Sequence, residues 1–410
     1  MLRFAPSPTR EMHIGDLRVA LFNYIVSQQK NEEFVIRIED IDKEKNIEGI
    51  DADIVALVDL FGIKYRDVVY SSKSFKFHQA MAVDLLHRKK AFNCFCGLQD
   101  LDDIKYNGRC ENLPAEEVID NPKPFGVRIK KPHSPISFTD KIKGKLEFTS
   151  DEIDSFLILK EDKTPTFNFA SAVDDMLSDI SMVIREEKYL LDTPKQIHVR
   201  HCIGYDKEIE YTHIPPILNE FSIKWLLEEG FLPEAISNYL ISIGNTPPKD
   251  IFTVNEAIKW FDLEKFSKSS VKFDLDVLRF INKEHLKRLD DKELSRYVGF
   301  ADAEVGKLAK LYLDEASTTK ELKEKVTPVF ASKKIPKDLE ADAQNLRKII
   351  TDAPYFEDFK GFKTYLLEQS GIKEEELSKL LHYLLTGTES APELKNVYEA
   401  IKNYIKEIVK

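Results

Sequence analysis

The chain is poor in the residues that rigidify small secreted domains. Four cysteines in 410 residues cannot form a disulfide scaffold, and they suit a reducing cytosol. Glycine and proline are scarce, at 15 and 18, which argues against a low-complexity or disordered chain. No run approaches ~18 uninterrupted apolar residues, so no membrane-spanning helix is expected. The opening Met1-Leu2-Arg3-Phe4-Ala5-Pro6 lacks the apolar stretch of a secretory signal. A cytoplasmic protein without membrane contact is the expectation. Basic residues (60) are outnumbered by acidic ones (71), for a net charge of −11. As a total this speaks against a polyanion partner, although local basic surface can override it.

What is present is enough apolar material, 42%, for two to four domains at ~100–200 residues each. Leu2 to Ala5 reads as a strand that stops at Pro6. Leu17, Ala20, Leu21, Tyr24 and Ile25 fall at helical spacing, with Asp16 standing where an N-cap would stand. Phe34 to Ile38 is a second strand. Strand, loop, helix, strand within about forty residues is a βαβ unit, hence a parallel sheet. Ligands of such sheets bind at the carboxyl ends of the strands, which makes Arg3 to Asp16 a candidate site.

From about residue 71 to 165 the texture changes to short β-rich pieces, Val127 to Ile129, Ile136 to Phe138 and Lys145 to Phe148, with Cys94, Cys96 and Cys110 between helices. Helical periodicity resumes near Ser171, Ile197 to Ile203 is mixed, and beyond about 223 nearly everything is helical. Leu377, Leu380, Leu381, Leu384 and Leu385 line one face; Val397, Ile401, Tyr404, Ile405 and Ile408 line another. No internal repeat is visible.

The stretch from Arg3 through Pro6-Ser7-Pro8-Thr9 to His13-Ile14-Gly15-Asp16 presents backbone N–H groups and a helix N-terminus, which suit phosphate. It resembles the opening of the bacterial glutamyl-tRNA synthetases of class I, His13-Ile14-Gly15-Asp16 being similar to their HIGH motif. The likeness continues through Ile36-Arg37-Ile38-Glu39-Asp40, Thr164 to Ala170, Val173-Asp174-Asp175, Val183-Ile184-Arg185, Thr193-Pro194-Lys195-Gln196, Gly230 to Ala235 and Ser267 to Asn282. It implies a Rossmann catalytic domain (1–70 and 166–215), an α+β acceptor-stem insertion (71–165), an all-α stem-contact region (216–285) and an α-helical anticodon-binding domain (286–410). It implies ATP-dependent ligation of glutamate to tRNA through glutamyl-adenylate, with ATP and Mg²⁺. Arg3, Ala5, Ser7, Glu39 and Arg185 match amino-acid-pocket positions, Arg3 for the side-chain carboxylate and Glu39 for the ammonium; His13 and Gly15 match nucleotide positions. The shorter glutamyl-queuosine type lacks the C-terminal helices found here.

The departures are concentrated. Arg10 stands where the family has Gly, and Asp16 puts a negative charge where the helix start would hold phosphate. Phe167 replaces a Tyr, and Glu186-Glu187-Lys188-Tyr189 replaces Gly-Glu-Asp-His. The lysine-rich KMSKS loop is missing, because His213 to Glu220 runs straight into Phe221. Ser267-Lys268-Ser269-Ser270 is not that loop; it matches a segment downstream of it. An omitted mobile loop would explain the junction alone, whereas a degenerate paralogue explains every departure. The expectation is impaired ATP activation. The alternative is an inactive module that binds tRNA, a glutamate-like ligand or a protein partner.

Cys94, Cys96, Cys110 and Tyr106 match a zinc set that some members carry, although Asn112 stands where a His would complete it. Arg128, Lys130, Lys131, Lys141, Lys143 and Lys145 form a positive stretch where the family cradles the acceptor end. Near the end, a family His-Gly-Pro-Glu-Leu reads Glu389-Ser390-Ala391-Pro392-Glu393-Leu394.

Overall fold

A computed structural model describes residues 1–96, 106–389 and 392–410; the Ser390–Ala391 part of the last motif lies outside them. The chain divides into two compact units. One comprises Met1–Ile223 with Leu240–Phe273, the other Lys224–Tyr239 with Asp274–Lys410.

The first unit is built on parallel strands. β1 (Leu2–Phe4), β2 (Phe34–Ile38) and β3 (Val68–Tyr70) form one parallel sheet in that order, with Arg3 opposite Val35. Both β1 and β2 are fully buried, as continuous apolar runs in a parallel sheet require. β4 (Ala91–Cys94), β5 (Gly126–Ile129) and β8 (Leu157–Leu159) form a separate antiparallel sheet. β6 (Ile136–Asp140) pairs antiparallel with β7 (Gly144–Phe148) and parallel with β10 (Glu210–Ile214), which pairs parallel with β9 (Met182–Glu186). Ser181 N–H donates to Met1 O at 2.9 Å, so β9 enters beside β1 on the side away from β2. The chain therefore leaves β1 in one direction while its other neighbour arrives from a distant segment. That is a switch point, and it places a ligand crevice at the carboxyl ends of β1 and β9.

Helix α1 (Ile14–Lys30) starts earlier than its apolar spacing suggested. Its N-cap is His13 rather than Asp16. Asp16 is the third helical residue, and its carboxylate accepts the His13 N–H at 2.9 Å. An acidic third residue reaching back to the cap is the second half of a capping box, a role the sequence alone does not separate from a cap. The helix Phe167–Leu177 likewise begins before Ser171. The mixed stretch at 197–203 belongs to one helix, Asp192–Ile203, whose buried positions include Thr193, Gln196, His198 and Arg200. Buried polar residues blur the apolar period that marks a helix.

The second unit is helical. Asp274 caps Leu275–Arg288 by accepting the Asp276 (3.0 Å) and Val277 (3.2 Å) N–H groups. In Glu374–Thr386, Leu377, Leu380, Leu381, Leu384 and Leu385 are wholly buried, as their spacing predicts. The last apolar face is shared by Leu394–Ile401 and Ile405–Ile408, with Tyr404 half-buried on the 3-10 turn between them. Among the described residues no helix is long and apolar enough to cross a membrane.

Candidate active site

A cavity of about 170 Å³ opens at the ends of β1 and β9, lined by Arg3, Ala5, Ser7, Glu39, Arg185 and Glu186 among others. Drug-sized ligand pockets run ~300–1,000 Å³, so this one suits a ligand of amino-acid size. It brings together all five expected amino-acid-pocket residues.

Charge along its floor alternates. Arg3 Nε donates to Asp175 Oδ1 at 3.1 Å, and Arg37 Nη1 donates to the same oxygen at 2.6 Å. Arg37 Nη2 continues to Glu39 Oε1 (3.1 Å) and Ser171 Oγ (3.2 Å). Burial opposes ionisation of Asp175, yet Arg3 and Arg37 together hold its carboxyl well below the usual range. Burial pushes the Glu39 carboxyl up against the pull of Arg37 and Arg3. Arg185 is different. It is buried, and its hydrogen bonds go to the neutral groups of His213 (3.2 Å), Gln196 (3.1 Å) and Thr193 (2.7 Å). No carboxylate among the described residues forms an ion pair with it. Burial and the charge of Arg3 lower it to about 10. A buried guanidinium without an anion is costly unless a ligand supplies one. Counted over Arg3, Arg37, Arg185, Asp175 and Glu39, the pocket carries one uncompensated positive charge, and it calls for a carboxylate.

The sequence pointed to Arg3, Glu39 and Arg185 but assigned no role to Arg37 or Asp175. The available signal was a charged residue inside an apolar strand and a second acid inside a buried helix.

At the other end of the cavity the charges satisfy one another. Arg10 grips Asp16 with both nitrogens, Nη1 to Oδ2 at 2.7 Å and Nη2 to Oδ1 at 3.1 Å. The two departures that seemed independent in sequence are thus one bidentate pair. Glu186 is ion-paired with Lys188 and lies against the start of α1; a Cβ on Gly15 would meet its Oε1 at 2.6 Å. A carboxylate already stands where a helix N-terminus would hold a phosphate. His13 Nδ1 lies 2.9 Å from Glu220 Oε2. The Phe167 ring is 40% exposed and packs 5.7 Å from Tyr189.

The junction expected to lack a loop is closed. β11 (Ile217–Leu218) pairs with β12 (Val271–Lys272), Asn219 turns at φ 63°, and Phe221 packs 4.7 Å from Phe273. Ile14 N–H donates to Phe221 O (3.1 Å) and Ile223 N–H to Met12 O (3.2 Å), stitching the chain directly to the head of α1.

A second cavity of about 600 Å³ shares Ser7, Thr9, Glu39, Phe167 and Ser171 with the first, and adds Lys45, Lys160 and Lys195. The positive stretch of the insertion is less available than its sequence suggests. Arg128 is buried and donates to Cys94 Sγ (3.3 Å) and Ser155 O (3.0 Å). Lys131, Lys141 and Lys143 pair with Asp151 (2.8 Å), Glu210 (2.9 Å) and Glu187 (2.7 Å). An arginine in a strand facing the core must find partners there, whatever charge its neighbours carry.

The ligand atoms of Cys94, Cys96 and Cys110 lie within 4.8 Å of one another, the last two thiols 3.5 Å apart. Tyr106 Oη accepts the Cys110 N–H at 2.5 Å, which sets it at the edge of the thiol group. Burial raises the Cys96 thiol to about 12, while hydrogen bonds led by the Phe95 N–H overcome burial to lower that of Cys110. Three converging sulfurs with a phenol beside them suit a soft divalent ion such as zinc.

A family model described as tRNA synthetases class I (E and Q), catalytic domain, matches residues 1–280. A protein named glutamate–tRNA ligase 2 from Sulfurimonas denitrificans is 56% identical, and one named glutamate–tRNA ligase 1 from Nitratiruptor sp. 51% identical, each across 100% of both chains. The first alignment spans 432 positions against 410 residues here, so at least 22 positions have no residue in this chain. A crystal structure of a glutamate tRNA ligase from Elizabethkingia meningosepticum in complex with its amino acid shares the fold, with a TM-score of 0.82 at 22% identity over 99% of this chain and 97% of that one.

Proposed function

The chain belongs to the glutamate–tRNA ligase family of class I tRNA synthetases, and we propose that it binds glutamate between Arg3 and Arg185 and engages tRNA, with its use of ATP weakened. In this family ATP, supplied with Mg²⁺, and glutamate give glutamyl-adenylate, whose glutamyl group passes to the tRNA 3′ end. One observation carries the glutamate assignment: Arg185 is a buried cation with neutral partners, facing the same cavity as Arg3. A side-chain carboxylate between two guanidinium groups restores neutrality and uses their fork geometry. Glu39 takes the ammonium, and Ala5 and Ser7 bound the cavity.

The phosphate end supports weakened activation. His13 and Gly15 are the nucleotide contacts of this reading. Phosphate arriving there meets Asp16 and Glu186, each already bound to a cation, and Glu220 on His13. The ion pairs must open, or like charges must be tolerated. No lysine loop follows Glu220 to stabilise the leaving pyrophosphate; losing such donors typically costs ~10²–10³ in rate for each. The same pairs favour the second reading, an inactive module that keeps the amino-acid pocket and binds tRNA or a protein partner.

We assign 71–165 to the acceptor end of tRNA and 286–410 to its anticodon. Cys94, Cys96 and Cys110, with Tyr106 as fourth ligand, form a structural zinc site that would hold the 106–110 segment on β4.

The test is ATP–pyrophosphate exchange with purified full-length protein, glutamate and tRNA, beside direct binding of each. The expected result is glutamate and tRNA binding with exchange at least ~10²-fold below that of a motif-complete relative. Exchange at the relative's level sinks the weakened-activation reading. Absent tRNA and glutamate binding sinks both readings.

A further inference from the structure

The hydrogen bonds that hold Arg185 have a fixed direction. Their direction starts at Asp140, at the carboxyl end of β6, which itself accepts four hydrogen bonds: from Ile142 N–H (2.9 Å), Lys143 N–H (2.8 Å), His213 N–H (2.8 Å) and His213 Nδ1 (2.8 Å). Burial opposes its ionisation, but these donors, led by His213, keep the carboxyl below its ordinary value. An ionised carboxylate only accepts, so His213 carries its proton on Nδ1 and presents a lone pair at Nε2. Burial lowers the imidazole's pKa and Arg185 and Arg3 add to this, while Asp140 pulls the other way. The ring is therefore neutral at neutral pH. Tyr211, 6.3 Å away, stacks on it.

The Nε2 lone pair receives Arg185 Nε–H (3.2 Å) and the Thr193 hydroxyl (2.9 Å), and Thr193 Oγ1 accepts Arg185 Nη2 (2.7 Å). On the far side Arg185 Nη1 donates to Gln196 Oε1 (3.1 Å), Gln196 Nε2 to Asn168 Oδ1 (3.1 Å), and Asn168 Nδ2 to Asp192 Oδ1 (2.8 Å). The line runs from one anion, Asp140, to another, Asp192, with Arg185 as the cation between them. Three of the guanidinium's five N–H groups are committed, leaving one on each Nη.

We infer that Asp140, His213 and Thr193 are positioning residues for substrate recognition: they fix the plane of the Arg185 guanidinium so that its two remaining N–H groups meet the ligand carboxylate as a fork. The inference rests on the assignment of Arg185 to the glutamate pocket. Asp140 enforces the histidine tautomer, the tautomer makes Nε2 an acceptor, and only an acceptor there can orient Arg185. A guanidinium free to rotate would still be positive but would lose the bidentate geometry.

The experiment measures glutamate affinity by calorimetry on the full chain, with melting temperature as a folding control. R185Q reads the pocket alone. T193V keeps the side-chain volume and removes the oxygen, and T193S returns it. D140N keeps the shape but lets His213 reverse its tautomer, placing an Nε2 proton against Arg185; ¹⁵N chemical shifts of the imidazole report this directly. The glutamate Kd is expected to rise about tenfold or more, ~1.4 kcal/mol, in T193V and D140N, and to return to near the wild-type value in T193S. If R185Q weakens binding while folded T193V and D140N bind as the wild type does, the positioning role is overturned and the pocket stands. If R185Q binds glutamate like the wild type, the pocket assignment falls and the positioning role falls with it.

Discussion

Single residues decide which charges are free. Arg10 and Asp16 are each adverse to a nucleotide when considered alone, a bulky side chain in one case and a negative charge in the other. Joined at 2.7 and 3.1 Å, they form a neutral unit half open to solvent. R10G alone therefore exposes the Asp16 charge at the head of α1 and lowers ATP affinity further, whereas R10G with D16N raises it above the wild type. Titration with ATP checks the order; equal affinities for the single and double variants would refute the coupling. In the helical unit, His285 is buried, bonded to Asn238 Oδ1 at 3.0 Å, and lowered by burial to about 4. Between about pH 6.5 and 4 the unfolded chain takes up a proton there that the folded one does not. Stability therefore falls as pH drops through that window and is unaffected above it. H285Q flattens this slope in urea melts taken at pH 7 and pH 5. Both pairings were invisible in sequence because neither spacing nor composition says which polar side chain meets which.

At the scale of elements, helices show where sequence reading works. The five leucines of Glu374–Thr386 keep a strict helical period and are wholly buried; L380A should cost ~2–5 kcal/mol in denaturant melts. Gly306 has a tighter reason to be small. A Cβ there would stand 1.7 Å from Asp291 O, where the helix Ala303–Lys310 crosses Asp291–Tyr297. G306A should push the two helices apart and lower the melting temperature by several degrees; an unchanged melt would contradict this packing. The helix Asp192–Ile203 was hidden for the opposite reason. Its buried positions include the polar Thr193, Gln196, His198 and Arg200, and Thr193 and Gln196 hold Arg185, so buried polar side chains erased the apolar period that marks a helix.

For the whole molecule, the net charge of −11 is a poor guide to partners, and so is a run of basic residues. Arg128 is buried and Lys131, Lys141 and Lys143 are paired, so tRNA affinity should show a shallower salt dependence than six free cations would produce, measured as the slope of log Kd against log salt. The thiol cluster predicts about one zinc per chain by metal analysis. That zinc is expected to be lost in C96S, with a drop in melting temperature. Wild-type protein whose melting temperature is unchanged by a chelator, and which carries no zinc before treatment, would remove the site. By itself the sequence determined the order of α/β then all-α units, the family, and five residues that line one cavity, because apolar strand runs, helical period and motif order are local along the chain. Only the tertiary structure decided which of those charges are spent. Asp175 pairs with Arg3 across 172 positions, His213 turns Arg185 from β10, and Asp16 is neutralised by a residue that looked like a second defect. Coulomb energy and desolvation depend on distance and burial, and both are set by the fold rather than by sequence separation.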